Sequence, residues 1–320
     1  MSATETLLQK IEALGWRAAV VPHARRAEAI HAIVERHEKG EFDEAFYQEY
    51  LAPMFSEPLP ETPTPRSVIL VAVPDRPVRM QFTLDGSPFT VITAPGYLRA
   101  PEPRPSVAIA ETLSSFGCSV APAHAPLKTL GTMSGFSRYG RNNISYVPGL
   151  GSFVALAAFI SDLDCDDAPA QAQETLTRCG DCHACRDACP TGAIGEDRFL
   201  LHAERCITFW NEKSGEIPFP EWIEPQWHNA LVGCLICQRA CPENRPFLDS
   251  YFEGPSFDEA TTRLLLAGAK KEDLSDDVRP ALEEWRLADF LDYLSRNLGV
   301  LVKKEELRRT RGRCGKGEKT

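Results

Sequence analysis

The sequence predicts an α+β protein, and three patterns carry that expectation. Over the first 160 residues helical periodicity alternates with short apolar runs of strand type. Between residues 179 and 241 eight cysteines gather in two groups, and beyond residue 255 apolar positions return at helical spacing. We accordingly divide the chain into an N-terminal α/β part (1–172), a central cysteine-rich part (173–248) and a helical C-terminal element (249–320).

Residues 5–14 have helical periodicity and stop at Gly15, a normal terminating residue. RAAVVP at 17–22 reads as a strand, and RRAEAIHAIVERHEKG at 25–40 as an amphipathic helix ending at Gly40. His31 and His37 lie on that helix with no second ligand group nearby in sequence, which suits structural or surface roles better than metal binding. The proline-rich stretch SEPLPETPTPRS reads as a linker into SVILVAVPD, a continuous apolar run expected of a buried strand. RMQFTL and PFTVIT around Asp85-Gly86 predict a hairpin, with Ser87 and Pro88 extending its turn. SVAIAETLSSFG predicts a helix ending at a glycine, and CSVAP a short strand in which Cys118 acts as a small hydrophobe.

Residues 130–163 combine a glycine-rich turn, two expected strands and few charges. Gly135, Gly140, Gly149 and Gly151 permit close backbone approach or positive φ. The GxxxxG spacing lacks the Lys-Ser or Lys-Thr of a phosphate loop, so by itself it is compatible with a tight turn. Beyond residue 255, FDEATTRLLLAGAKKEDL and DVRPALEEWRLADFLDYLSRNLGVLVK predict helices, the first with Ser256 as its cap.

The cysteines carry the chemistry. CGDCHACRDACPTGAI sets Cys179, Cys182, Cys185 and Cys189 at C-x2-C-x2-C-x3-C-P, the spacing of bacterial two-cluster ferredoxins. Cys206 and then CLICQRACPEN, with Cys234, Cys237 and Cys241, complete a set of eight, and Pro242 repeats Pro190. A cubane needs four thiolates converging from different directions. One short loop can offer three, while the fourth must arrive from elsewhere, expected at the start of a helix just before a proline. The assignment is therefore Cys179, Cys182, Cys185 and Cys241 to one 4Fe-4S cluster, and Cys189, Cys206, Cys234 and Cys237 to the other. Zinc sites and disulfides are the alternatives, but zinc calls for neither the third closely spaced cysteine nor the repeated Cys-Pro. Cys118, Cys165 and Cys314 fall outside both sets, and the acidic neighbours of Cys165 disfavour its thiolate.

Composition excludes little else. Hydrophobic residues make up 43% and charged residues 25%, as in an ordinary globular chain, and the net charge of -10 argues against a surface devoted to nucleic acid. Residues 303–320 are the exception, with eight Lys or Arg against three Glu; such a tail suits a solvated end, or contact with RNA or an acidic partner. No apolar run is long enough to span a bilayer, and the N-terminus lacks the pattern of a secretory signal. With eleven cysteines, these features lead to the expectation of a cytoplasmic protein with no membrane partner.

The pairing of CGDCHACRDACPTGAI with a lone downstream cysteine and GCLICQRACPEN resembles the cluster region of epoxyqueuosine reductase and its relative, the reductive dehalogenase. GFSRYGRNNISYVPGLGS also resembles that family's G-L-G-W-x-G-K-N segment followed by G-S, and SVILVAVPD its first core strand. The resemblance implies a cobalamin-dependent reductase with a corrinoid-domain-like N-terminal fold, to which the clusters supply electrons one at a time. It places Gly135, Arg141, Asn142 and Ser152 near the corrinoid, and implies a low-potential donor such as a ferredoxin or flavodoxin, and a small-molecule or tRNA substrate.

Several positions differ from the family pattern. Ser137 stands for a glycine, Arg141 for a lysine, Ala157-Ala158 for a Gly-Glu pair, and Ala123 for the catalytic aspartate; His124 could substitute as proton donor, although a lone loop histidine suits a structural role better. A hairpin occupies the place of the family's basic, tyrosine-containing loop. Two functions follow: a reductase with a redox cofactor in its N-terminal part, or a two-cluster electron-transfer protein without its own catalytic site.

Overall fold

The computed structural model describes residues 1–56, 64–98, 104–166 and 174–314. Most of the proline-rich linker, the boundary expected at 172/173 and residues 315–320 lie outside them. Among the described residues nine strands occur: β1 (Arg17–Pro22), β2 (Ser67–Pro74), β3 (Val78–Leu84), β4 (Ser87–Thr93), β5 (Val120–Pro122), β6 (Arg138–Tyr139), β7 (Ser145–Tyr146), β8 (Val154–Ser161) and β9 (Phe252–Phe257). The chain forms two compact units, Met1–Asp75 with Ala100–Glu204 and Ala240–Phe247, and Arg76–Arg99 with Arg205–Arg239 and Leu248–Thr320. Both are discontinuous in sequence, unlike the consecutive segments 1–172, 173–248 and 249–320.

The first unit is built on a four-stranded sheet in the order β1-β2-β8-β5. Strand β2 is central because it is apolar at every second position on both faces. Ile69, Val71 and Val73 join Leu7, Ile11, Ile109 and Leu113 of the helices Ala3–Ala13 and Pro105–Ser114. Val68 and Leu70, one residue out of phase, join Ala29 and Leu130 of the helices Ala24–Glu38 and Leu127–Met133 on the other face. Two covered faces explain the continuous apolar run. Every pairing in this sheet is antiparallel, so the N-terminal part is α+β rather than α/β with parallel crossovers. The first helix begins at a capping box: the Glu5 N–H donates to Ser2 Oγ at 3.2 Å and the Ser2 N–H to Glu5 Oε2 at 2.8 Å.

The second unit holds the hairpin β3-β4, which pairs along its other edge with β9, in parallel. Asp85 and Gly86 alone form its turn, at φ 50° and 68°, and Ser87 already pairs with Leu84. Two consecutive positive φ values match strand twist, so the longer turn expected from Ser87 and Pro88 is not needed. The C-terminal element is not purely helical, since β9 occupies Phe252–Phe257 and includes Ser256. Asp258, not Ser256, caps the following helix, accepting the Thr261 N–H at 2.8 Å. The single long helix expected after residue 277 is broken at Arg286, whose φ is 59°, into Arg279–Glu284, a short 3-10 turn and Leu291–Cys314. Phe82, Met80, Leu231, Leu265, Leu282 and Leu298 form the core of this unit.

Candidate iron-sulfur site

In the first unit Cys179, Cys182, Cys185 and Cys241 line one cavity. Cys179 belongs to a 3-10 turn, Thr177–Gly180, and Cys185 to the short helix Ala184–Ala188. Cys241 arrives from far along the chain, just ahead of the 3-10 helix Pro242–Phe247, with Pro242 at its first position. Cys189 differs from the expectation for a fourth cysteine: it follows the helix Ala184–Ala188 rather than starting one, and Pro190 lies in a turn.

Burial, together with the Cys179 and Cys241 thiols, pushes the Cys185 thiol up to about 11. Burial also raises Cys179, against the N–H of Arg141, which points at its sulfur. Without a metal these thiols are held protonated; a metal bound among them would displace the protons and take the sulfurs as thiolates. Among the described residues no three His, Cys, Asp or Glu side chains are grouped as ligands of a single ion. A cubane places a different iron under each thiolate, so its ligands stand farther apart around a shared cavity. The four-thiol cavity fits such a cluster. None of the described cysteines forms a disulfide.

The second unit holds Cys206, Cys234 and Cys237. Cys206 is the N-cap residue of the helix Ile207–Asn211, and Cys237 lies on the helix Ile236–Ala240. Cys234 accepts from Asn229 Nδ2 at 3.2 Å, while Asn229 Oδ1 accepts the Leu235 N–H at 2.8 Å, so one amide orders both the sulfur and its loop. Tyr97 donates to the half-buried Glu212, whose carboxyl burial pushes up.

The residues placed near a corrinoid by resemblance have other partners. Arg141 lines the four-thiol cavity: its N–H faces Cys179 Sγ at 3.4 Å, Nε donates to the Cys182 carbonyl at 3.1 Å, and Nη2 to the Cys179 carbonyl. Asn142 is buried, donating to Tyr146 Oη at 3.1 Å and accepting the Ile144 N–H at 3.3 Å. Ser152 is buried against Asn244: its N–H donates to Asn244 Oδ1 at 2.9 Å, and Asn244 Nδ2 returns a bond to Ser152 Oγ at 2.8 Å. Gly135 has φ 67° and closes the helix Leu127–Met133. The side chains of Arg141, Asn142 and Ser152 are thus each hydrogen-bonded to protein groups. His124 is exposed, its carbonyl accepting from Arg26 Nε at 2.7 Å, and Ala123 packs beside the apolar layer of Leu70 and Leu130.

Asn244, three residues after Cys241, was not singled out by sequence reasoning, although it ties the segment carrying Cys241 to Ser152. Gly151 makes that approach possible: at φ 65°, a Cβ there would stand 2.6 Å from Asn244 Oδ1 and 2.9 Å from the Phe247 ring. Gly151→Ala should destabilise the protein by about 2 kcal/mol through strain and overpacking, read as a lower urea midpoint at unchanged slope. An unchanged midpoint would mean the segment shifts freely.

Four thiols around one cavity, with four more cysteines at cluster spacing in sequence, define an iron-sulfur protein. The 4Fe-4S double cluster binding domain family matches residues 178–244. Epoxyqueuosine reductases are among the proteins this chain is similar to. That of Cellulophaga algicola is 32% identical over 174 residues, 53% of this chain and 54% of the relative. That of Bacillus subtilis is 37% identical over 112 residues, 35% of this chain and 26% of the relative. The chain thus spans about half the length, or less, of these curated relatives.

Among solved structures, epoxyqueuosine reductase from Bacillus subtilis shares the fold with a TM-score of 0.61 at 18% identity, over 94% of this chain and 81% of that one. Epoxyqueuosine reductase with an epoxyqueuosine-modified tRNA-Tyr stem loop gives 0.56 at 17% identity, over 94% and 80%. The resemblance read from the cysteine runs is therefore borne out, as is the mixed α and β character. Among the described residues no helix is long and apolar enough to cross a membrane.

Proposed function

We propose that the chain is an iron-sulfur oxidoreductase resembling epoxyqueuosine reductase, in which electrons leave by the cluster of the first unit to reduce a cofactor or substrate held by that unit. The observation that carries this reading is the four-thiol cavity, which lies in the same compact unit as the helix-covered sheet. A 4Fe-4S cluster supplies one-electron transfer at low potential. The protein's part is to present Cys179, Cys182, Cys185 and Cys241 from two distant segments, to hold those segments through Arg141 and the Ser152–Asn244 pair, and to limit water around the thiols. The other cluster takes Cys189, Cys206, Cys234 and Cys237 on the ferredoxin spacing.

Cobalamin is the acceptor implied by the resemblance, with Gly135, Arg141, Asn142 and Ser152 the residues it places near it. The substrate is a small molecule or a modified tRNA, and the donor a low-potential carrier such as a ferredoxin or flavodoxin. Metal analysis of anaerobically purified protein tests the reading, with iron, sulfide and cobalt measured and absorbance followed during cobalamin titration. About eight irons per chain with stoichiometric cobalamin binding is the expected result.

A second reading, an electron-transfer protein without its own catalytic site, is favoured by Ala123 at the aspartate's position. Iron without any cobalamin binding would support it. For a tRNA substrate, deletion of residues 303–320 should weaken RNA binding and flatten its salt dependence. Absence of salt-sensitive binding by the full chain would end the tRNA proposal.

A further inference from the structure

We infer that Arg141 is a cluster residue, whose guanidinium fixes the loop from Cys179 to Cys182 and whose charge raises the reduction potential of the cluster held by Cys179, Cys182, Cys185 and Cys241. This deepens the proposed function and rests on reading the four-thiol cavity as a cluster site.

Three contacts converge on one short loop. The Arg141 N–H faces the Cys179 sulfur at 3.4 Å, and its guanidinium donates to the carbonyls of Cys179 and of Cys182. Spanning two carbonyls of one loop requires two donors at fixed separation, which the planar fork provides and a lysine ammonium does not. The residue is itself well anchored. Asn142 is buried on Tyr146, and Asn143, at φ 55°, donates to the Phe199 carbonyl at 2.8 Å. The turn that presents Arg141 therefore does not depend on the Arg141 side chain.

The charge argument follows from what else lines the cavity. Glu243 is paired with Arg178 at 2.6 Å. Among the described residues no carboxylate forms an ion pair with Arg141, so its charge acts on the thiolates. One-electron reduction of a thiolate-ligated cluster adds a negative charge to an already negative site, with no bond made or broken. A nearby cation stabilises the reduced form more than the oxidised one, which raises the potential. The N–H directed at Cys179 acts in the same sense, but it belongs to the backbone and survives side-chain replacement. Variants at this position therefore isolate the guanidinium.

The test uses the full chain, purified without oxygen, as wild type, Arg141→Lys and Arg141→Met. Iron and sulfide are counted, and each protein is titrated with dithionite while electron paramagnetic resonance follows the reduced clusters. We expect full iron in all three, a lower potential for one of the two clusters in Arg141→Met, and a smaller shift in Arg141→Lys. Loss of about four irons in Arg141→Met that Arg141→Lys restores would also support the assignment, since charge is then required to hold the cluster. Full iron with both potentials unchanged in Arg141→Met would overturn it. Equal loss of iron from both variants would overturn the charge role and leave only the fork. A wild-type protein without cluster signals would instead overturn the cluster reading itself.

Discussion

Cys241→Ser should lower the iron content from about eight to about four per chain, while Cys118→Ser and Cys165→Ser leave it unchanged. Cys241 is the thiol that reaches the four-thiol cavity from a separate segment, and a serine hydroxyl, which ionises far less readily than a thiol, is a poor replacement. Cys206→Ser should give the same partial loss by removing a ligand of the other cluster. Cys118 and Cys165, two of the three spare cysteines, sit elsewhere: the Cys165 thiol points to the Val20 carbonyl at 3.5 Å, and the Cys118 thiol to the Phe116 carbonyl at 3.8 Å. Neither lines the four-thiol cavity, and burial with the neighbouring Asp162 and Asp164 pushes the Cys118 thiol up. Iron and sulfide analysis decides the matter. Loss of a cluster in Cys165→Ser with retention of both in Cys206→Ser would show the ligand assignment to be wrong.

Acidification should cost the wild-type protein about 3 kcal/mol more than it costs a His228→Phe variant, with the difference developing between pH 6.5 and 4. His228 is completely buried, and neither ring nitrogen has a hydrogen-bond partner in the protein. Burial lowers it from 6.5 to about 4, helped by the positive charges of Lys304 and Arg296. The sign follows directly. Below its unfolded value the unfolded chain binds a proton that the folded chain refuses. The contribution to stability is therefore complete above pH 6.5 and is lost as pH falls through about 4. The Phe219 ring, 4.5 Å away edge-on, leaves an aromatic environment that phenylalanine can occupy. Urea midpoints of both proteins at pH 7.5, 5 and 4 supply the test, because carboxylates and acid-labile clusters titrate alike in each. Parallel loss of stability in the two would sink the proposal that His228 is held neutral.

Local patterns were legible in the sequence wherever one segment settles its own structure. Strands β1 and β2 lie where their apolar runs put them, and Cys241 lines one cavity with Cys179, Cys182 and Cys185, the grouping their spacing predicts. What stayed hidden depends on distant partners. FEGPSF, with Gly254 and Pro255, carries no strand pattern of its own, yet it is a strand because the edge of β3 is open to it. The antiparallel sheet was hidden for the same reason, since apolar runs do not state their direction. Arg141 did leave a trace, as one of only two arginines in the low-charge stretch 130–163. A charge kept in such a segment is informative, but its partners are carbonyls 38 and 41 residues away.

The interleaving of the two units has a consequence for how the protein is made. The first unit is completed only by Ala240–Phe247, the segment that carries both Cys241 and Asn244. As the chain leaves the ribosome, the sheet and its helices emerge first, then Cys179, Cys182 and Cys185 with no fourth ligand. Until residue 241 is synthesised, that loop can offer iron only three of the four thiolates of its site. Cluster loading is thereby set late in biosynthesis, and a nascent chain stalled before Cys241 would expose reactive thiols to oxygen and to adventitious metals.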